Sequence, residues 1–339
     1  MPASPASASS NAGGVLVCVP NWVGDGIMAM PALQEFRRRN PGARIVLLVK
    51  PAMRPLWAMH EVADARVELQ AGLRPAVNSV VAAQCERAVI LPNSFRSALI
   101  PCLAGIPERR GRPGHWRRWL LTDVVEPARG PAREHQVYEY LDLLAPGTPT
   151  AGYDPPRLRV PDAAREAARS RLADLPAPRV ALLPGAARGP SKQWPAAHFI
   201  ELGRRLAEQP GARLVVLGSA REAELCGRVA GGIGPAARSL AGETSMADWA
   251  ALIEACDLVV CNDSGGAHVA AAVGRPEVVI FGMTDPARTA PLGARCRVIR
   301  AEGPCSRDIA RDDPEAIKKL ASITPERVYQ AALECLAGR

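Results

Sequence analysis

Val15-Leu16-Val17-Cys18-Val19-Pro20, running into Asn21-Trp22-Val23-Gly24-Asp25-Gly26 and then Ile27-Met28-Ala29-Met30, is the stretch whose reading decides the fold. Its first six residues are an unbroken apolar run, the pattern of a strand buried on both faces. The next six form a glycine-rich loop. Residues 27–39 then read as a helix, stopped by Asn40-Pro41-Gly42. Strand, glycine loop, helix is the opening unit of a parallel sheet covered by helices on both faces. The alternation continues with strands expected at 44–49, 66–69 and 87–91.

The same unit recurs in the second half. A strand at 179–183 leads through a Gly/Pro loop to a helix at 195–208, with Pro195 near its first turn. Strands are expected at 213–217, 258–261 and 278–281, with helices at 221–230, 246–255 and 268–273 between and beyond them. Residues 144–161, rich in Pro, Gly and Thr, read as the linker. The expected architecture is α/β: two Rossmann-like doubly wound domains facing a central cleft. The first spans 15–155 and the second 156–324. A last helix at 325–339 is expected to return to the first domain, and residues 1–14 are expected to be a disordered tail.

A length of 339 residues suits two such domains. No apolar run approaches the roughly 20 residues of a membrane-spanning helix. The Ala/Ser/Pro/Gly start carries no apolar signal segment, so a cytoplasmic location is the expectation. The nine cysteines are scattered and never spaced as C-x-x-C, which argues against a disulfide framework or zinc site. The net charge of +8 invites a nucleic-acid reading, but aromatic residues are only 4% and no Lys/Arg block stands out. No nucleic-acid partner is expected. Arginine carries nearly all the positive charge, so Lys192, one of only four lysines, draws attention in its loop.

In doubly wound sheets ligands bind beyond the carboxyl ends of the strands. Four loops there carry unusual chemistry, and a fifth supplies a further candidate. In Gly24-Asp25-Gly26 the carboxylate is the informative part: it is hostile to a phosphate at a helix start but suits a general base or a cap. In the loop from Pro184 to Pro195, Ser191-Lys192 sits at a helix start, where an ammonium can meet a phosphate; the spacing is not that of a P-loop. In Asn262-Asp263-Ser264-Gly265-Gly266-Ala267-His268, Ser264, Gly265 and the following N–H groups can cradle an anion, Asp263 can orient a sugar or cap, and His268 lies in the first turn. Thr284 and Asp285 follow a further strand and can read a base, ribose or sugar, or simply form a turn before Pro286. Glu222, after another strand, can accept from ribose hydroxyls or sit solvated in a helix first turn.

These motifs resemble those of the lipopolysaccharide heptosyltransferases of glycosyltransferase family 9, in order and spacing from Val15 to Ala332. The first domain contributes Pro20-Asn21-Trp22-Val23-Gly24-Asp25 and Leu91-Pro92-Asn93-Ser94-Phe95-Arg96-Ser97-Ala98-Leu99, with Ala104-Gly105-Ile106-Pro107. The second contributes Pro184-Gly185-Ala186, Ser191-Lys192, Trp194-Pro195, Leu240-Ala241-Gly242-Glu243-Thr244, Asn262-Asp263-Ser264-Gly265 and His268-Val269-Ala270-Ala271-Ala272. Gly266-Ala267 replaces a usually bulkier pair, and Gln193 stands where Arg is common.

The resemblance implies a GT-B fold, an ADP-heptose donor, inversion, no cofactor and no essential metal. It implies transfer of a second heptose to the first heptose of the Kdo-lipid A core. Asp25 would be the general base and Lys192 would hold the diphosphate. Ser191, Ser264, Gly265 and His268 would surround the nucleotide diphosphate, Asp263 would contact the heptose, and Glu222, Thr284 and Asp285 would complete the donor site. The nearest rival is another member of the same family, such as one that adds the first heptose or acts later in the core. A nucleotide-sugar epimerase of the same fold, needing no acceptor, and a non-catalytic nucleotide- or nucleic-acid-binding module are the rivals from other classes.

On the acceptor side, Asn93, Arg96, Arg117 and Arg118 are the candidate contacts. They belong to a first-domain concentration of arginines that includes Arg109, Arg110, Arg112, Arg129 and Arg133, accompanied by Trp116 and Trp119. Such a surface suits Kdo carboxylates, lipid phosphates and peripheral contact with the inner membrane, or is only a solvated face.

Overall fold

The apolar runs form two parallel six-stranded sheets, seen in a computed structural model that describes residues 13–114, 116–126, 134–150, 152–293, 295–306 and 309–338. The first half contains β1 (Gly14–Cys18), α1 (Val23–Arg39), β2 (Ile45–Val49), α2 (Arg54–Ala58), β3 (Ala65–Glu68), α3 (Leu73–Ala82), β4 (Cys85–Ile90), α4 (Phe95–Leu103), β5 (Glu108–Gly111), β6 (Asp123–Val124) and α5 (Val137–Leu144). The second contains α6 (Asp162–Arg171), β7 (Arg179–Leu183), α7 (Ala196–Glu208), β8 (Arg213–Val216), α8 (Ala223–Ile233), β9 (Ala237–Ser239), α9 (Met246–Glu254), β10 (Leu258–Asn262), α10 (Gly265–Ala272), β11 (Glu277–Phe281), α11 (Pro286–Thr289), β12 (Cys296–Arg300), α12 (Pro314–Ala321) and α13 (Pro325–Ala337).

Strand order is β3-β2-β1-β4-β5-β6 in one sheet and β12-β11-β10-β7-β8-β9 in the other. Both are the doubly wound order, with the chain reversing direction between β1 and β4 and between β7 and β10. Crevices at the carboxyl ends of these central strands are where ligands bind in such sheets. Every residue of β1, β2, β10 and β11 is buried, their apolar runs together with Asn262 at the end of β10 and Glu277 at the start of β11. The outer strands β5, β6, β9 and β12 escaped the sequence reading because they are short or charged and only partly covered.

One apolar cluster runs through both halves, joining Val17, Ile27 and Leu47 to Ala181, Val259 and Val269. It forms where α1 of the first domain packs on α10 of the second. Two glycines permit that approach. A Cβ on Gly24 would lie 2.8 Å from His268 Cδ2, and one on Gly265 would lie 2.9 Å from Val23 Cβ. Here the missing side chains admit the opposing helix.

Two expectations are corrected. The last helix does not return to the first domain: α13 packs on α7 and on β10–β12, and buries Val328, Tyr329, Ala331 and Ala332 in the second domain's core. Its amphipathic pattern marks a buried face without saying which sheet receives it. Of the expected tail, residues 1–12 lie outside the described residues, and Gly14 already belongs to β1. Two helices also begin earlier than their sequences suggest, α1 at Val23 and α10 at Gly265, so both glycine motifs lie in first helical turns.

Candidate active site

Both early helix starts point into one cleft. A cavity of about 540 Å³ there is lined from the first domain by Trp22, Gly24, Asp25, Met28, Glu134 and Gln136. The second domain contributes Ala186, Ala187, Arg188, Lys192, Asp263, Ser264, Gly265, His268, Thr284, Asp285, Arg288, Thr289, Cys305 and Ser306. The size falls within the range typical of small-molecule sites. A second cavity of about 240 Å³ opens within the first domain, lined by residues including Asn21, Asn93, Ser94, Arg112, Glu139 and Tyr140. Trp22, Asp25 and Gln136 line both. Asp25 therefore stands at the junction of two chambers.

The cap reading of Asp25 fails. Trp22 is the N-cap of α1 and makes no side-chain capping bond, while Asp25 sits in the first turn. Its Oδ1 accepts from Gln136 Nε2 at 3.2 Å. Burial raises its pKa above the ordinary carboxylate value, against lowering by the Gln136 hydrogen bond and by the charges of Arg188 and Lys192; Glu139 adds to the rise. A half-buried carboxylate made more basic in this way suits proton acceptance.

On the second domain Lys192 Nζ lies 2.5 Å from Asp263 Oδ2, which also accepts from Thr284 Oγ1 at 2.6 Å. Three expected residues thus form one polar cluster at the mouth of α10. The Lys192 loop is held by Asn262, which is fully buried at the end of β10. Its Nδ2 donates to Pro184 O at 2.8 Å and Gly185 O at 3.3 Å, and its Oδ1 accepts from Trp194 N at 2.9 Å. Trp194 anchors the other side through Nε1 to Ile323 O at 2.8 Å. His268 is buried, its pKa pushed down to about 4 by desolvation against the pull of Asp263, so the imidazole is neutral. Its Nδ1 has no hydrogen-bond partner among the described residues. Both α1 and α10 point their N-terminal dipoles toward the cavity, a favourable setting for an anion.

Several expected contacts fall elsewhere. Arg117 is corrected: its side chain is completely buried and cannot meet a ligand. It donates to Arg112 O, Pro92 O, Ser94 O, Ser97 Oγ and Asn93 Oδ1, tying Arg112 and Arg117 to the loop that lines the smaller chamber. A buried guanidinium requires such full pairing. Ser191 is buried outside the cavity lining. Glu222 also lies outside it; its Oε2 accepts from Ser219 N at 2.8 Å and Ser219 Oγ at 2.7 Å, a capping box. Asp285 lines the cavity and caps α11, accepting from Ala287 N at 3.0 Å.

Asn93 lines the smaller chamber, as does Arg112 of the wider arginine group. Arg96 donates to Gly72 O at 2.9 Å, and Arg118 pairs with Glu126 at 2.6 Å; both are exposed and outside the chamber lining. Arg129 and Arg133 lie outside the described residues. Gln136, Glu139 and Tyr140 escaped the sequence reading. They come from the start of α5, far from any strand-end glycine motif.

Comparison with known proteins decides the family. Residues 76–319 match the profile of Glycosyltransferase family 9 (heptosyltransferase). The chain belongs to glycosyltransferase family 9. Lipopolysaccharide heptosyltransferase 2 of Escherichia coli K12 is 34% identical, covering 93% of this chain and 96% of that one. Lipooligosaccharide heptosyltransferase 2 of Haemophilus influenzae is 32% identical over 95% of this chain and 99% of its own. The solved structure of the E. coli ADP-heptose lipopolysaccharide heptosyltransferase II superposes with a TM-score of 0.82 at 32% identity, covering 96% of this chain and 99% of that one. The family member described here is thus a glycosyltransferase with the two-domain GT-B architecture.

Proposed function

We propose that the chain transfers L-glycero-D-manno-heptose from ADP-heptose to the first heptose of the Kdo-lipid A inner core, with inversion and without a metal. The observation that carries this reading is Asp25, placed where a donor-sized chamber meets a smaller first-domain chamber. The curated relatives of similar length are named heptosyltransferase 2, and the motifs of both domains agree with that assignment.

In this mechanism the acceptor hydroxyl enters from the smaller chamber, past Asn93 and Arg112. Asp25 takes its proton as the oxygen bonds to the anomeric carbon from the side opposite the diphosphate. The bond from that carbon to the phosphate oxygen breaks, and ADP leaves with the electron pair. The growing charge on ADP meets Lys192, Arg188 and the N–H groups at the start of α10, positioned donors of the kind that stabilise a leaving anion. Lys192 acts here as a catalytic cation as well as a donor contact. Asp263 and Thr284 orient the heptose, with Ser264, Gly265, His268 and Asp285 lining the nucleotide side. The general base contributes roughly 10²–10⁴-fold.

The acceptor is anchored in a bilayer, so the enzyme works at the cytoplasmic face of the inner membrane as a peripheral visitor. No described helix is long and apolar enough to cross a membrane. Trp116 is 93% exposed and Trp119 71% exposed; Arg118 lies between them in sequence, Arg96 follows Phe95, whose ring is 6.0 Å from that of Trp119, and both arginines are exposed. Indoles with guanidinium groups suit a headgroup layer carrying phosphates.

The test is mass spectrometry of truncated cores after incubation with ADP-heptose. A core ending in its first heptose should gain one heptose residue. Gain only on a core lacking heptose would assign the first transfer instead, and conversion of ADP-heptose without acceptor would favour an epimerase.

A further inference from the structure

The beginning of α5 clamps the two domains together at the proposed base. Gln136 Nε2 donates to Asp25 Oδ1 at 3.2 Å and to the Tyr140 hydroxyl at 2.7 Å. The amide nitrogen faces Asp25 because an ionised carboxylate can only accept. Both of its protons are thereby used, which fixes the rotamer. Meanwhile the Gln136 backbone N–H donates across the cleft to Arg288 O at 2.9 Å.

Its neighbours repeat the crossing. His135 Nδ1 accepts from Val137 N at 3.1 Å, so Nε2 carries the proton and donates to Ala290 O at 2.9 Å. Glu139 receives Arg288 from the second domain at 3.4 Å and Arg112 from the first at 3.0 Å. The segment so gripped, α11 with its flanks, belongs to the donor side: Thr284, Asp285 and Arg288 line the larger cavity, and Thr284 is bonded to Asp263.

We propose that Gln136 is the positioning residue of Asp25, and that the 284–290 segment, through its backbone grip on His135 and Gln136 and the Arg288 side chain's contact with Glu139, couples the aim of that carboxylate to the seating of the donor loop. This rests on the reading of Asp25 as base. A misplacement of about 1 Å in such a group costs on the order of 10²-fold in rate. A neutral amide suits the task. It orients the carboxylate while leaving it more basic than an Arg or Lys partner would. The other groups facing Asp25 are Arg188 and Lys192 from the loop after β7, Glu139 and Tyr140 from α5, and His268 of α10, which packs on Gly24.

The test is the pH dependence of kcat and of kcat/KM in the full chain with ADP-heptose and the truncated core. Gln136→Ala should lower kcat at pH 7 by about 10-fold or more with little change in KM for the donor, and move the acid limb to higher pH. Gln136→Glu, which keeps the size but adds a like charge, should move the limb further. Arg288→Ala should shift it in the same direction, and the double variant Gln136→Ala/Arg288→Ala no further than Gln136→Ala alone, because both act along one path. Circular dichroism and ADP affinity establish that each variant is folded. An acid limb unmoved in both Gln136 variants, or losses that multiply in the double variant, would overturn the proposal. If instead Asp25→Asn keeps full transfer, the base reading itself fails, a result separate from any obtained at Gln136.

Discussion

Lys192 Nζ and Asp263 Oδ2 lie 2.5 Å apart, a largely buried ion pair at the mouth of α10. The cation proposed to meet the diphosphate is thus already engaged by a carboxylate, which Thr284 shares. On the proposed mechanism, a donor entering the cavity should turn this closed contact into a three-way arrangement with phosphate.

Removing one partner leaves the other buried and uncompensated, which costs more than the pair's own net worth. Lys192→Ala should weaken ADP-heptose binding and slow transfer by 10-fold or more in kcat/KM, about 1.4 kcal/mol or greater. Asp263→Asn should keep ADP binding, because the ammonium is released rather than lost, while slowing transfer. Calorimetric titration with ADP and steady-state kinetics separate the two; unchanged kinetics in Lys192→Ala would reject its phosphate role.

Burial raises the Asp25 pKa, and a base works only when deprotonated. Activity should therefore rise with pH along a limb lying above the ordinary aspartate range near pH 4. The rise is lost as pH falls through that raised value. His268 does not supply a limb above that range, since desolvation pushes its pKa down to about 4 and it is neutral at higher pH. A kcat/KM profile flat down to pH 4 would show that no such base acts.

Gly24 lets α1 meet α10, with a Cβ there placed 2.8 Å from His268 Cδ2. Gly24→Ala should force the helices apart, costing about 1–3 kcal/mol in stability. Transfer should fall more than donor binding, because both chambers need the domains in register. Thermal unfolding beside ADP affinity and kcat measures the three effects.

Arg117 should behave as a structural residue. Arg117→Ala removes the guanidinium donor to the carbonyls of Pro92, Ser94 and Arg112. Ser97 still serves the first two, so the Arg112 carbonyl bears the loss, about 1–3 kcal/mol if buried and unsatisfied, together with the space the side chain vacates. The melting temperature should drop by several degrees or more. A variant with wild-type stability but lost acceptor affinity would restore Arg117 to the acceptor site.

Much of this was legible because parallel sheets announce themselves. Buried strands read as apolar runs, and the loops beyond them carried Asp25, Lys192, Asp263 and His268 into view. Gln136 stayed hidden: it is 111 residues from Asp25 and meets it only through the fold. Arg117 misled because charge alone does not reveal burial, and its neighbours Arg118 and Trp119 are exposed. Glu222 and Ser191 carried the right chemistry, but one is spent on a helix cap and the other is covered. The amphipathic face of α13 was visible, yet only packing shows that it belongs to the second sheet.

The most direct measurement compares Asp25→Asn with the unaltered chain, reading ADP binding by calorimetry and heptose transfer by mass spectrometry on the same preparation. A near-isosteric amide keeps the shape of the junction but cannot accept the proton. Donor affinity should be preserved while the transfer rate drops by roughly 10²–10⁴-fold. Turnover within a few-fold of the unaltered chain would contradict the account.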